Sequence, residues 1–248
     1  MKRLAVAAII VTTFILLYSC SKVSETISSA SINEYSSLQV GKTYLYRLDS
    51  TITAAFGASL IVKSYQAKDS VEAAFTDNLG RQSFRIFRYI RDTSATQPWR
   101  FAATYVAIPT DKTLEYVDNN MRFVKLHAPI KEGYTWKAHS FIDTKSTNSK
   151  VRYLDEWEYE YRDIERPYTV LRKTYDSTIT VFQRDETVPS GPFNPAVFQQ
   201  KDYGKEVYAK NIGLVYKEFL HWTWNVSSSN AGYEDGSYGV KLQLISHK

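Results

Sequence analysis

From Leu38 onward, apolar and polar residues alternate with a period of two in one short segment after another. "VGKTYLYRLDS" sets Tyr44, Tyr46 and Leu48 on one face. "QSFRIFRYIRD" sets Phe84, Ile86 and Ile90 against Phe87 and Tyr89. "EWEYEYRD" sets Trp157, Tyr159 and Tyr161 against Glu156, Glu158, Glu160 and Arg162. "NIGLVYKEFLHWTW" predicts one side carrying Leu214, Tyr216, Leu220, Trp222 and Trp224, and "SYGVKLQLI" lines up Tyr238, Val240, Leu242 and Leu244. Successive side chains of a strand point to opposite faces, so each segment reads as a strand with one buried and one wetter face. Their β-branched and aromatic content agrees. "TLEYVDNNMRFVKL" predicts a hairpin turning at Asp118-Asn119-Asn120.

The pattern is less decided elsewhere. Lys68–Phe75, "KDSVEAAF", fits a strand or a helical turn, and residues 188–202, with Pro189, Pro192 and Pro195, read as a long loop. No segment of helical period is long enough to stand. The expected fold is therefore mainly β and a single domain, with roughly nine to eleven antiparallel strands. A curved sheet partly closed on itself is preferred; a half-barrel or a sandwich satisfies the same alternation. "DSTIT" occurs at 49–53 and again at 176–180. The flanks agree poorly, so coincidence is favoured over an internal duplication.

The amino-terminal residues obey a different rule. Lys2 and Arg3 precede a nearly unbroken apolar run from Leu4 to Leu17. A membrane-spanning helix needs about 20 apolar residues, so the run reads instead as a secretory leader over 1–19. Leu17-Tyr18-Ser19-Cys20 resembles a bacterial lipobox, with Tyr18 bulkier than usual for its place. The resemblance implies cleavage before Cys20, diacylation of its thiol and acylation of the new amino terminus, which makes membrane lipid the first partner. Two or more acyl chains give a stable anchor. Residues 20–37 then hold the lipidated cysteine and a serine-rich stretch that reads as a flexible tether to a β domain over 38–248.

Cys20 is the single cysteine of the 248 residues, so its lipidation leaves no thiol for disulfides, thiol catalysis or zinc. The formal charge of +5 includes Lys2 and Arg3 of the leader, and the remaining Lys and Arg are dispersed. A nucleic-acid footprint would cluster them, so that partner class is excluded. His127, His139, His221 and His247 stand at no metal-ligand spacing. Nucleophile-elbow and phosphate-loop motifs are missing, and no cofactor is implied. Glu156, Glu158 and Glu160 share one strand face and read as a solvated surface rather than a glycosidase pair. The chain is accordingly expected not to be an enzyme.

Aromatic residues are the real excess, at 15% of the chain, with 19 tyrosines. Tyrosine joins an apolar body to a polar tip and suits half-wet surfaces. Trp157, Tyr159, Trp222 and Trp224 are the candidate binding residues, expected on the concave side of the sheet. Packing in the core is the competing reading for all four, and the favoured one. The triplets Asp49-Ser50-Thr51, Asp69-Ser70-Val71 and Asp176-Ser177-Thr178 resemble the short O-glycosylation acceptor pattern of Bacteroidetes secreted proteins, making Ser50, Ser70 and Ser177 candidate modification sites.

"VGKTYLYRLDS", "FTDNLGRQSFRIFRYIRD", "NNMRFVKLHAPIKEGYTWKAHSFI", "WEYEYRDI" with Pro167-Tyr168, "YGKEVYAKNIGLVYKEFLHW" and "GSYGVKLQLISH" follow one another in this order. Over residues 38–247 they resemble a family of Bacteroidetes outer-membrane lipoproteins without an established activity. The resemblance implies an all-β domain, a lipid anchor and an envelope location. Ser21 and Lys22 lack the aspartate of an inner-membrane retention signal, which points to the outer membrane, on a side left undecided. Three functions follow in order. The first is a non-catalytic domain binding a small hydrophobic or glycan ligand. The second is an accessory lipoprotein docking on an outer-membrane protein. A hydrolase is a distant third.

Overall fold

The computed structural model describes residues 30–226 and 231–248. The leader, Cys20 and the first part of the tether lie outside the described residues. The chain runs through one short helix, α1 (Ile32–Ser36), and then β1 (Thr43–Ala54), β2 (Ser59–Thr76), β3 (Gln82–Asp92), β4 (Arg100–Pro109), β5 (Thr113–Asp118), β6 (Met121–His127) and β7 (Thr135–Trp136). After a 3-10 turn at Arg152–Leu154 come β8 (Tyr159–Val170), β9 (Lys173–Val188), β10 (Gln199–Ala209), β11 (Gly213–Asn225), β12 (Gly232–Tyr233) and β13 (Tyr238–His247). The ambiguous segment Lys68–Phe75 is strand, inside β2.

All strands belong to one antiparallel sheet ordered β6-β5-β4-β3-β2-β1-β13-β11-β10-β9-β8-β7, with β12 beside β11. Nearly every neighbour in this order is a neighbour in sequence, so the sheet is a meander of hairpins. The exceptions are β13 with β11, which skips the two-residue β12, and β1 with β13, which joins the two halves. The β5–β6 hairpin turns at Asn119 and Asn120, with φ of 47° and 61°. Two positive φ values in succession are what a tight hairpin turn asks for, and asparagine tolerates them.

The sheet curls until its ends meet. The Val124 N–H on β6 donates to the Ala138 carbonyl just past β7, at 2.7 Å. The Trp136 indole N–H donates to the Val124 carbonyl at 2.8 Å. The result is a nearly closed barrel. Register shifts between Leu45 and Tyr46, Val71 and Ala73, Gly204 and Lys205, and Val207 and Tyr208 supply the local bends.

The inner face carries two apolar clusters. One gathers Tyr44, Tyr46, Leu48, Ile86, Leu242 and Leu244; the other gathers Trp157, Tyr159, Tyr161, Leu114, Leu126 and Ile179. The outer face carries ion pairs: Arg47–Asp49 at 3.1 Å, Arg85–Glu72 at 2.6 Å, Arg162–Glu160 at 2.6 Å and Lys201–Asp185 at 2.5 Å. A barrel crossing a bilayer presents an apolar band outward, so this outer face suits water.

Residues 31–37 are not a tether in the structure. The Ser31 hydroxyl accepts from the Asn33 N–H and caps α1, whose Ile32 and Tyr35 are fully buried in the second cluster. The Asn211 N–H donates to the Glu34 carbonyl at 2.6 Å, and the Ser37 hydroxyl donates to the Asn211 carbonyl at 2.8 Å. The serine content masked two apolar residues three apart, which is the spacing of one helix face. The packed domain thus begins earlier than residue 38.

Candidate functional site

The barrel interior is not filled. Between the two apolar clusters lies a cavity of about 460 Å³, within the usual range of small-molecule sites. Its lining comes from β1–β6, the 3-10 turn, β8–β11 and β13. The exposed lining residues Ala102, Asn119 and Tyr238 mark its mouth. Leu114, Leu242 and Tyr208 are buried and form its depth.

Tyrosines dominate this wall: Tyr44, Tyr46, Tyr105, Tyr116, Tyr153, Tyr159, Tyr208 and Tyr238 all line it. Each is delivered by the period-two alternation of its strand or, for Tyr153, by the 3-10 turn. Burial raises the pKa of every one of them, with Tyr44, Tyr105 and Tyr159 pushed up to about 12. Tyr46, Tyr116 and Tyr208 are driven higher still. These phenols therefore stay neutral and offer aromatic faces and hydroxyls. Several of the hydroxyls are already committed: Tyr46 donates to the Leu214 carbonyl at 3.0 Å, Tyr44 to the Ser37 carbonyl at 2.9 Å and Tyr208 to Glu206 at 2.6 Å, and those of Tyr153 and Tyr238 lie 3.3 Å apart.

Charged side chains share the same wall. On β3, Arg88 grips Asp69 of β2 through two bonds of 2.6 Å, in the forked geometry that guanidinium and carboxylate favour. The Arg88 guanidinium also lies over the Tyr105 ring, 4.9 Å from its centre. Across the cavity, Glu206 on β10 is almost fully buried. It accepts from Lys125 at 2.8 Å and from the Tyr208 hydroxyl at 2.6 Å, and it lies 3.7 Å from Lys217. Burial alone would raise the Glu206 pKa; Lys125, Lys217 and the hydroxyl outweigh it and hold the carboxyl down at about 2. Burial and the neighbouring Lys125 push Lys217 down to about 8, only partly offset by Glu206. Lys125, which holds the short bond to Glu206, is raised.

One amide stands apart. Gln183 on β9 is 3% exposed and lines the cavity, and its Nε2 has no hydrogen-bond partner among the described residues. Room for it is made at Gly204, where a Cβ would sit 2.6 Å from Gln183 Oε1 and 3.0 Å from the Trp157 ring. A buried amide without a partner costs about 1–3 kcal/mol, which a bound acceptor would offset.

The four sequence candidates divide. Trp157 and Tyr159 face the interior. Tyr159 lines the cavity, whereas Trp157 is packed behind it against Tyr153 and Phe219. Trp222 and Trp224 are on the opposite face, not the concave one. There Phe193, from the loop between β9 and β10, stands edge-on to both rings, and Tyr233 stands edge-on to both as well. The Trp224 indole N–H donates to the Pro195 carbonyl at 3.2 Å. The proline loop of 189–198 is thus the cover of this outer cluster. The register shift at Val207 and Tyr208, opposite Leu214 and Tyr216, also separates residues expected together. Leu214 lines the cavity while Tyr216 turns outward to hydrogen-bond Glu218.

Other candidates are placed as follows. Ser50, Ser70 and Ser177 sit half-buried within β1, β2 and β9. His221 is buried. Its Nδ1 lies 2.6 Å from Asp202 Oδ1, and the Tyr153 ring stacks on it at 3.7 Å. Among the described residues no serine, threonine or cysteine side chain hydrogen-bonds this ring, and no cluster of three His, Cys, Asp or Glu could hold a metal. Sequence reasoning missed Asp69, Arg88, Lys125, Glu206, Lys217 and Gln183. Alternation set Lys217 and Phe219 on the face opposite Tyr216, Leu220, Trp222 and Trp224, and the structure makes that face the inner one.

A scan against protein-family models finds no match, and a search of curated proteins finds no similar chain.

Proposed function

We propose that this chain is a lipid-anchored envelope protein whose barrel binds a small ligand in its interior without transforming it. The observation that carries this reading is the 460 Å³ cavity, walled by neutral tyrosines and paired charges. Aromatic faces beside hydroxyls suit an apolar or glycan ligand, and a pre-formed concave site is the usual form of a small-molecule pocket. Outer-membrane attachment through acylated Cys20 is part of the same proposal and rests on the leader and lipobox. A cavity-filling substitution tests the binding site. Ala103→Trp, on the half-buried wall near the mouth, should abolish saturable 1-anilinonaphthalene-8-sulfonate fluorescence while keeping the melting temperature. Unchanged binding would remove the cavity from the account. Cys20→Ser should release the protein from the membrane fraction or leave it unprocessed; palmitate labelling that survives it would refute the anchor.

One observation favours a second reading, docking on an outer-membrane protein. Phe87, Tyr89 and Phe101 form mutual edge-to-face contacts on the outer face of β3 and β4, with Phe101 55% exposed. Cations flank them: Lys68 lies over Tyr89 and Trp99, Arg91 over Trp99 and Arg85 over Phe87. Phe101→Ser should lower recovery of a cross-linked envelope partner under this reading and leave it unchanged under the first.

A further inference from the structure

The interior charges of the cavity are equal in number, Arg88, Lys125 and Lys217 against Asp69, Asp118 and Glu206, but they are not equally paired. Arg88 and Asp69 form a closed pair with both carboxylate oxygens used. Lys125 and Lys217 share the single carboxylate of Glu206, and they share one atom of it: Oε1 lies 2.8 Å from Lys125 Nζ and 3.7 Å from Lys217 Nζ. The other oxygen accepts from Tyr208. Asp118, the remaining carboxylate of the lining, ends β5 beside the exposed Asn119 at the mouth. Lys217 is thus the cation held only at long range, 3.7 Å from Glu206 Oε1, with no side-chain hydrogen bond among the described residues. A second observation points the same way. The buried Gln183 amide, on the same wall, has an unpartnered N–H donor and no acceptor opposite it. Lys217 asks for a negative charge and Gln183 for an acceptor, and one anionic group supplies both. Much of the rest of the wall is apolar or aromatic, including Leu38, Ile86, Leu114, Phe219, Val240 and Leu242.

We propose that the cavity takes a monoanionic small molecule with an apolar body, a carboxylate being the simplest case, whose charged end is held by Lys217. Gln183 supplies a neutral donor, and the tyrosine and aliphatic wall takes the body. This rests on the interior binding site proposed above and narrows it to one class of ligand. A part-buried ammonium with only a long-range partner is stabilised where a second negative charge arrives.

The test compares acids with their primary amides, which match them in shape and lack the charge. Dodecanoate and naphthalene-2-carboxylate, dodecanamide and naphthalene-2-carboxamide are titrated by calorimetry into the full chain at pH 7. At least one acid should bind with a 1:1 stoichiometry and about tenfold or more tighter than its amide. Lys217→Met should remove that preference, leaving acid and amide alike, and Lys217→Arg should restore it. Amides binding as well as acids, or Lys217→Met keeping the preference, would overturn the anionic ligand while leaving the interior site intact. Binding of none of the four probes by the wild-type chain would count against both.

Discussion

Two pairs of aromatic residues, alike in sequence, end on opposite sides of the same wall. Trp157, just before β8, and Tyr159, its first residue, point inward. Trp222 and Trp224 close β11 and point outward, beneath the proline loop. Both pairs alternate with polar residues, and in both the polar neighbours suggest the solvated side. For the first pair this is correct: Glu156 and Glu158 are exposed. For β11 it fails, because the intervening residues are His221 and Thr223, which are buried with Asp202 and Ser237. Alternation tells which side chains share a face. It does not tell which face becomes the inside once a sheet closes and a loop folds over part of its outside.

The charged half of the interior makes the sharpest test of this difference. Removing one partner from a buried ion pair leaves an uncompensated charge and costs about 3–5 kcal/mol. Glu206→Gln should therefore destabilise the fold by about that much in urea unfolding, and more than any single change on the outer cluster. Trp157→Ala should cost a similar amount, about 3–5 kcal/mol, through the space left behind Tyr159 and Phe219. Trp222→Ala, on the half-buried outer cluster, should cost under about 2 kcal/mol and leave interior binding unchanged. An equal loss for the two tryptophans would erase the distinction drawn between the faces.

Gly204→Ala probes the close packing beneath the cavity. Its Cβ would press on Gln183 and Trp157, a form of overpacking that costs about 1–3 kcal/mol. Gln183→Ala added to it should recover only part of that loss, since it removes Oε1 but leaves the residue's Cβ at 2.9 Å and the Trp157 ring at 3.0 Å.

The smallest effects are those of pH. The folded chain releases the Lys217 proton near pH 8, whereas an unfolded lysine holds it to about 10.5. The unfolded state therefore binds more protons between these values, and stability should rise with pH from about 8 until tyrosines begin to ionise in the unfolded chain. Lys217→Met should raise stability at pH 7 and flatten this rise. Glu206 acts in the opposite range. Its carboxyl titrates near 2 when folded and near 4.5 when unfolded, so its stabilising contribution is present above about 4.5 and is lost as pH falls toward 2. A urea midpoint that is level from pH 8 to 9.5 would show that Lys217 carries no penalty.

Much of the barrel was legible beforehand. The strand segments, the hairpin at Asn119-Asn120 and the shared inward face of Tyr44, Tyr46 and Leu48 follow from periodicity. The closing contact between β6 and the chain past β7 did not follow, because it depends on how far successive bends accumulate. The interior charges were hidden for a related reason. Asp69, Arg88 and Glu206 stand at inward positions of their strands, where composition alone reads them as surface. Only cross-strand register shows that each finds its partner on another strand. Helix α1 was hidden by its serines.

The central claim, that the ligand enters the barrel, is tested most directly by NMR of the full chain with ring-labelled tyrosine during titration with naphthalene-2-carboxylate. Shifts confined to Tyr46, Tyr105, Tyr116, Tyr159 and Tyr208, with Tyr89 and Tyr233 unmoved, are expected. Shifts at Tyr89 or Tyr233 with the inner five unmoved would place the site on the outside of the sheet and contradict it.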